Sequence, residues 1–264
     1  MIGLVGVSGG VATRLIALGY RPISVGDPQA AAARLEREPG RVRAAIVPSC
    51  AAFLTPGALW RLSRSQGPNS LRCIALGPRV GEEEAASLRL AGVHFMLSEA
   101  CTERELRFAV NRALHDEHGQ SRLRARAATD LVARIRMGAR EKAGLVYSLS
   151  VAGCYIETER PCMPETFVSV HLPLPKGGIE IAARVHYTNV PGNVARANLP
   201  HGMALAFLDT SPAHRTGLSA YVEARLTEQG IAPRGDEAVV AGGMARVWSR
   251  VRALIAPGWA RATT

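Results

Sequence analysis

Two short stretches, Arg122-Leu-Arg-Ala-Arg126 and Ser148-Leu-Ser-Val-Ala-Gly153, decide how the second half of this 264-residue chain is interpreted. Ser150 follows Arg126 by 24 residues, and the strand-like run Cys154–Thr158 comes directly after the second stretch. Two arginines four positions apart on a connecting segment can reach one anionic ligand, because each guanidinium presents a fork of donors. The small polar residues and the glycine of the second stretch allow close backbone approach.

The residues around these two stretches predict a β-rich domain. Six segments have strand character: Leu131–Arg136, Ala143–Ser148, Cys154–Thr158, Phe167–Leu172, Ile179–Tyr187 and Met203–Leu208. Glycine-containing turns separate them, and short strands with frequent turns are typical of a closed or nearly closed barrel. A helix from Pro212 to about Leu226, capped by Ser211, is predicted after the last strand.

In this order, the RxxxR pattern of 122–126, the SxxG pattern of 150–153 and the late strands 183–187 and 202–209 resemble the PilZ family. The resemblance covers nearly all of 122–228 and implies a six-stranded barrel that binds cyclic di-GMP. By the same resemblance, Arg122 and Arg126 grip the ligand, and Ser148, Ser150 and Gly153 line its other side. Guanidinium groups suit this ligand, since they bind phosphates and the O6/N7 edge of guanine and stack on purines.

Ser148 departs from the family pattern, which has Asp or Asn at the first position of the loop. A serine hydroxyl cannot present the two acceptor oxygens of a carboxylate. Loss of one charge-assisted hydrogen bond, roughly 1.5–3 kcal/mol, corresponds to about one to two decades of affinity. Two interpretations therefore stay open: a ligand site, or a solvated basic linker beside a serine–glycine turn.

The first 115 residues alternate strands and helices. The predicted strands are Ile2–Val7, Pro22–Val25, Arg43–Val47, Arg72–Leu76 and Val93–Leu97, with helices around 11–18, 28–38, 56–65, 82–91 and 102–115. Asp27-Pro28 and Thr102-Glu103-Arg104-Glu105 have the composition of helix starts. Five strand–helix repeats predict a parallel sheet covered on both faces.

The five strand–helix repeats resemble the response-regulator receiver family, but the functional residues of that family are missing at the four strand ends that carry them. That family has an acidic pair, a phosphate-accepting aspartate, a hydroxyl residue and a lysine at the four places where this chain has Val7-Ser8-Gly9, Val47-Pro48-Ser49-Cys50, Leu76-Gly77-Pro78 and Ser98-Glu99. Without carboxylates there is no predicted Mg²⁺ site, and without the aspartate there is no acyl-phosphate nucleophile. We expect a pseudo-receiver used for protein contacts.

Other functional classes have less support. The net charge of +10 is spread as +3, +4 and +3 over residues 1–120, 121–229 and 230–264, so no basic arm indicates nucleic-acid binding. The glycines of 3–10 lack the GK[ST] and GxGxxG patterns, and no histidine lies near Ser49-Cys50 in sequence. The five cysteines have no zinc-finger spacing, and no cofactor or metal is expected. No apolar run reaches the roughly 18 residues of a membrane span, so we expect a cytoplasmic protein.

The sequence therefore predicts an α/β half followed by a β half. The boundaries are 1–116 for the pseudo-receiver, 117–126 for the linker carrying RxxxR, 127–229 for the barrel and 230–264 for an amphipathic helical tail. The tail is expected to pack on its own domain or on a second copy in a homodimer; the alternative is docking on a protein partner or on a membrane surface. The predicted function is a non-enzymatic cyclic di-GMP effector in motility, pilus function or surface behaviour; the alternative is a ligand-free adaptor.

Overall fold

The computed structural model describes residues 1–7, 9–26, 41–49, 71–115, 125–175, 177–192 and 198–229. The helices predicted around 28–38 and 56–65, and the tail helix predicted within 230–264, lie outside the described residues. Within the described ranges there are twelve strands and four helices. None of these helices is long and apolar enough to cross a membrane.

The first half contains the predicted parallel sheet. Its strands are β1 (Ile2–Val5), β2 (Pro22–Gly26), β3 (Ala44–Pro48), β4 (Arg72–Gly77) and β5 (Val93–Ser98), paired in the order β2-β1-β3-β4-β5. The helices described here are α1 (Gly9–Ala17), α2 (Glu82–Leu90) and α3 (Glu103–His115). This strand order is one of the two common orders of doubly wound α/β folds. Strand β1 ends two residues before the predicted Val7, because Gly6 turns the chain with a φ of 63°.

Buried residues alternate between the two faces of this sheet. On β3, Ala44 and Ile46 belong to one apolar cluster, whereas Ala45 and Val47 belong to a second cluster on the opposite face. Successive side chains of a strand point to opposite faces, and both faces are covered here, which explains the nearly continuous apolar sequences of β1 and β3. The two-sided burial predicted from the sequence is confirmed.

Helix α3 begins with a capping box. The Glu105 backbone N–H donates to Thr102 Oγ1 (3.2 Å), and the Thr102 N–H donates to Glu105 Oε2 (3.0 Å). Each residue thereby satisfies a donor of the other that the helix itself leaves unpaired. The acidic first turn also suits the positive end of the helix dipole.

The second half is a closed antiparallel barrel of six strands. They are β7 (Val132–Met137), β8 (Arg140–Ser150), β9 (Gly153–Glu157), β10 (Phe167–Leu172), β11 (Ile179–Asn189) and β12 (Gly202–Phe207). The order β8-β7-β10-β11-β12-β9 closes through pairing of β8 with β9. A short strand, β6 (Ala127–Ala128), pairs with Ser148 and Leu149 near the end of β8. Helix α4 (Pro212–Glu228) follows the barrel. Ser211 caps α4 as predicted, its Oγ accepting from the His214 N–H.

Strands of the barrel approach one another closely at two glycines on opposite ends of the β9–β12 pair. A Cβ on Gly153 would lie 2.2 Å from the Leu205 carbonyl oxygen, and one on Gly202 would lie 2.0 Å from the Ile156 carbonyl oxygen. Both obstacles are backbone atoms, which cannot move aside as the end of a side chain can. Barrel closure at β9 therefore requires glycine at these positions.

Helix α3 lies against both halves of the protein. Its residue Phe108 packs edge-to-face on Tyr147 of β8, with ring centroids 6.0 Å apart. One apolar cluster contains residues of the parallel sheet, of α3 and of the barrel interior. The two sheets therefore share one core, to which α3 contributes.

Candidate ligand site

The second of the two deciding stretches forms a tight hairpin. Strand β8 continues to Ser150, two residues turn, and β9 begins at Gly153. The sequence places a loop at 148–153, whereas the structure extends β8 by two residues beyond the predicted Ser148. The reason is that Leu149 and Ser150 pair with Cys154 and Gly153 across the turn.

Ser150 stabilises this hairpin. Its Oγ donates to the Gly153 carbonyl (3.0 Å) and accepts from the Ala152 N–H (3.3 Å). The residue is 2% exposed. The hydroxyl therefore already has a donor role and an acceptor role within the turn.

Ser148 lies two residues before Ser150 and on the same side of β8, since side chains alternate along a strand. It pairs with Ala128 of β6 on one side and with Tyr155 of β9 on the other. Ser148 is 4% exposed. The position at which the family has Asp or Asn is thus occupied here by a small, buried residue between two strands.

Arg126 directly precedes β6. Ala127 pairs with Leu149, so continuing the antiparallel register places Arg126 opposite Ser150. Burial raises the pKa of the Cys154 thiol to about 12, and the positive charge of Arg126 acts against this rise.

The structure thus brings Arg126, Ser148, Ser150 and Gly153 to one end of the barrel. Arg122 lies outside the described residues. Sequence analysis missed three side chains that hold the segment after Arg126: Arg112 on α3, Arg225 on α4 and Gln229 just after it. No local pattern identifies Gln229, because 101 positions separate it from its partner Ala128.

Ser49 and Gly77 lie at the carboxyl edge of the parallel sheet, where a receiver would carry its functional residues. Ser49 follows β3 and is buried, and its N–H donates to the Leu76 carbonyl (3.1 Å). A Cβ on Gly77 would lie 1.9 Å from Ser49 Oγ, so the two residues are in direct contact. In the described part of the chain, no group of three or more His, Cys, Asp or Glu side chains could hold a metal ion. Ser8 and Cys50 lie outside the described residues.

A comparison with protein families supplies the deciding observation. The model of the PilZ domain matches residues 120–224, a range that contains both deciding stretches and all six barrel strands. This part of the chain is a PilZ domain. The identification confirms the family predicted from the sequence and the six-stranded barrel that the resemblance implies.

Several solved structures resemble the PilZ domain of this chain. The Bacillus subtilis inhibitor of motility, MotI, is 19% identical over 42% of this chain and 53% of its own, with a TM-score of 0.36. The PilZ domain of YcgR from Escherichia coli, solved with c-di-GMP, is 15% identical over 41% of this chain and 94% of its own, with a TM-score of 0.34. MrkH of K. pneumonia, solved as a c-di-GMP complex, is 15% identical over 41% and 54%, with a TM-score of 0.34.

The chain spans about half the length of MotI and of MrkH. A comparison with curated proteins gave no significant match. The family model, and not these structural likenesses, identifies the PilZ domain. The comparisons leave the receiver-like interpretation of residues 1–116 a prediction.

Proposed function

We propose that this protein is a non-enzymatic effector of cyclic di-GMP, with the ligand held between Arg122 and Arg126 on one side and the hairpin of Ser148, Ser150 and Gly153 on the other. The observation that carries the proposal is the PilZ family match, whose range of residues 120–224 includes the arginine pair and the hairpin. The register of β6 supports it, because continuing that register by one residue would set Arg126 opposite Ser150.

In the proposed site, the Arg126 side chain binds the ligand and the backbone of the hairpin shapes the opposite wall. Arg126 supplies positive charge and planar donors for phosphate or guanine. Ser150 and Gly153 supply a hairpin whose shape is fixed by the turn and by close contact with β12. A rigid wall of this kind lowers the conformational entropy lost on binding. Ser148, which lacks a carboxylate, makes the affinity weaker than that of a site with Asp by roughly one to two decades.

Calorimetric titration of the full chain with cyclic di-GMP tests the proposal. We expect a dissociation constant in the micromolar range or below, and a loss of at least about tenfold in Arg126→Ala and in Arg122→Ala/Arg126→Ala. Arg136→Ala is the matched control, since it also removes one positive charge but from a β7 arginine that pairs with Glu180. Unchanged binding in Arg126→Ala, or equal losses in Arg136→Ala, would contradict the assigned site.

A ligand-free adaptor is the second candidate, and one observation favours it. Ser148 is buried and the Ser150 hydroxyl is already engaged in the turn, so both serines have sufficient structural roles without a ligand. The same titration separates the two candidates. Absence of heat with the unmodified chain at high ligand concentration would establish the adaptor in place of the effector.

The wider role that we propose is regulation of bacterial motility or surface behaviour, in the cytoplasm, through protein contacts. One solved relative is named an inhibitor of motility, which is the support for this choice. We propose that residues 1–116 act as a pseudo-receiver and, with the tail, supply the surfaces for partners or for a second copy. A phosphorylated N-terminal half after incubation with acetyl phosphate and Mg²⁺ would argue against the pseudo-receiver.

A further inference from the structure

The segment that carries Arg126 is held from one side by helix α3. Arg112 Nη1 donates to the Arg126 carbonyl oxygen over 2.9 Å. The same guanidinium lies over the ring of Phe95 in β5, 5.6 Å from its centroid. Arg112 thereby connects the parallel sheet to the peptide group of Arg126.

The other side is held by the end of α4. The Gln229 side chain makes two hydrogen bonds with the backbone of Ala128: Nε2 donates to the carbonyl (2.9 Å), and Oε1 accepts from the N–H (3.3 Å). Arg225 Nε donates to the same carbonyl (3.3 Å). Gln229 is 5% exposed, so these bonds form away from water.

Strand β6 is an edge strand of two residues, both of which pair with β8. An edge strand presents backbone groups that lack a neighbouring strand. The amide of Gln229 has the same donor and acceptor as a peptide group, and it bonds to Ala128 where such a strand would pair. A strand this short has little pairing of its own, so its position depends on side chains that bond to its backbone.

The two anchors are also connected to each other. Arg225 Nη2 lies 3.3 Å from Glu105 Oε1 of α3 and 3.6 Å from Asp130 Oδ2, two residues after β6. The other oxygen of Glu105 belongs to the capping box of α3. The helix starting at Glu103, the helix ending at Glu228 and strand β6 are therefore joined in one set of polar contacts.

We propose that Arg112 and Gln229 are positioning residues that fix the backbone of residues 126–128 and so hold Arg126 beside the β8–β9 hairpin. Neither residue needs to touch the ligand to control its affinity. The ligand part of this inference, that the two residues control cyclic di-GMP affinity, rests on the proposed function. Its backbone part, the fixed position of Ala128, stands without any ligand.

The test uses the full chain with two pairs of variants. Gln229→Met keeps the side-chain length and removes both hydrogen bonds, and Arg112→Met removes the bond to the Arg126 carbonyl. Thr227→Val is the matched control, since it deletes a side-chain hydrogen bond near Gln229 whose acceptor is the Glu223 carbonyl and not β6. Arg112→Lys restores one donor and should recover part of the loss.

The first readout is amide hydrogen exchange without ligand. In Gln229→Met we expect the Ala128 amide to exchange at least about tenfold faster, whereas Thr227→Val leaves it unchanged. The second readout is cyclic di-GMP affinity, expected to fall about threefold to tenfold in Gln229→Met and in Arg112→Met, because only part of the free energy of the lost hydrogen bond acts on the position of Arg126. In an Arg126→Ala background neither substitution should weaken binding further, because both act through Arg126.

Three outcomes would overturn the inference. Unchanged exchange at Ala128 in Gln229→Met would show that the glutamine does not fix β6. An affinity loss of equal size in the Arg126→Ala background would show a general structural effect instead of positioning. Absence of cyclic di-GMP binding by the unmodified chain would overturn the proposed function together with the ligand part, and Ala128 exchange would then decide the backbone part alone.

Discussion

Asn111 on α3 is the residue whose removal we expect to reveal how strongly the two halves are connected. Its Oδ1 accepts from the Tyr20 hydroxyl (2.7 Å). Its Nδ2 donates to the Tyr147 hydroxyl (3.3 Å) and to the Asn198 carbonyl (3.2 Å). Tyr20 belongs to the α/β half, whereas Tyr147 and Asn198 belong to the barrel. Asn111 is 7% exposed, so water does not readily replace these partners.

Three net hydrogen bonds of roughly 0.5–1.5 kcal/mol each set the expected cost of Asn111→Ala at about 1.5–4.5 kcal/mol. The Tyr20 hydroxyl has a second acceptor within reach, the Arg107 carbonyl at 3.3 Å, and its contribution should be the smallest. The Tyr147 hydroxyl and the Asn198 carbonyl lose a donor inside the protein. We therefore expect a loss of about 2–4 kcal/mol in the free energy of unfolding.

Urea unfolding followed by circular dichroism measures this loss. Tyr155→Phe is a graded control: it removes one buried hydrogen bond, from the Tyr155 hydroxyl to the Pro200 carbonyl (2.6 Å), and should cost about 1 kcal/mol. Ser219→Ala removes an exposed hydrogen bond on α4 and should cost under about 0.5 kcal/mol. If Asn111→Ala cost no more than Ser219→Ala, the reasoning that this network joins the halves would be refuted.

Two further predictions concern the close approach of barrel strands at Gly153 and the buried thiols of Cys73 and Cys154. Gly153→Ala should destabilise the protein by about 1–3 kcal/mol, since its Cβ would meet the Leu205 carbonyl. Gly217→Ala on α4 is the control: its Cβ would meet nothing within 4 Å, so the substitution should be neutral or stabilising. Thermal unfolding compares the two variants, and equal effects would contradict the requirement for glycine at position 153. Burial raises the pKa of the Cys73 and Cys154 thiols to about 12, above the usual value of about 8.5, so their contribution to stability is complete below pH 8.5 and decreases as the pH rises toward 12. Urea midpoints at pH 7 and pH 10.5 check the sign, and a higher midpoint at pH 10.5 would be inconsistent with it.

Much of the fold could be predicted because local chemistry and burial agree. Helix α3 begins at the helix start that Thr102-Glu103-Arg104-Glu105 predicts, and Phe167–Leu172 has the same bounds in sequence and structure. Strand β6 could not be predicted, because two alanines carry no periodicity. Its position depends on Gln229, which is distant in sequence and becomes a neighbour only when α4 packs on the barrel.

The serine–glycine stretch shows why a family pattern alone does not separate a ligand site from a fold requirement. Ser150 is explained by its two hydrogen bonds in the turn, and Gly153 by its contact with Leu205. Substituting either residue would disturb the hairpin, and a loss of ligand binding would have two explanations. Arg126 differs from them: the contact from Arg112 is made to its backbone carbonyl, which Arg126→Ala leaves in place. Arg126→Ala therefore keeps the Arg112 contact to the carbonyl of residue 126 and both hydrogen bonds of Ser150 in the hairpin, and it tests ligand chemistry more directly than substitution of Ser150 or Gly153.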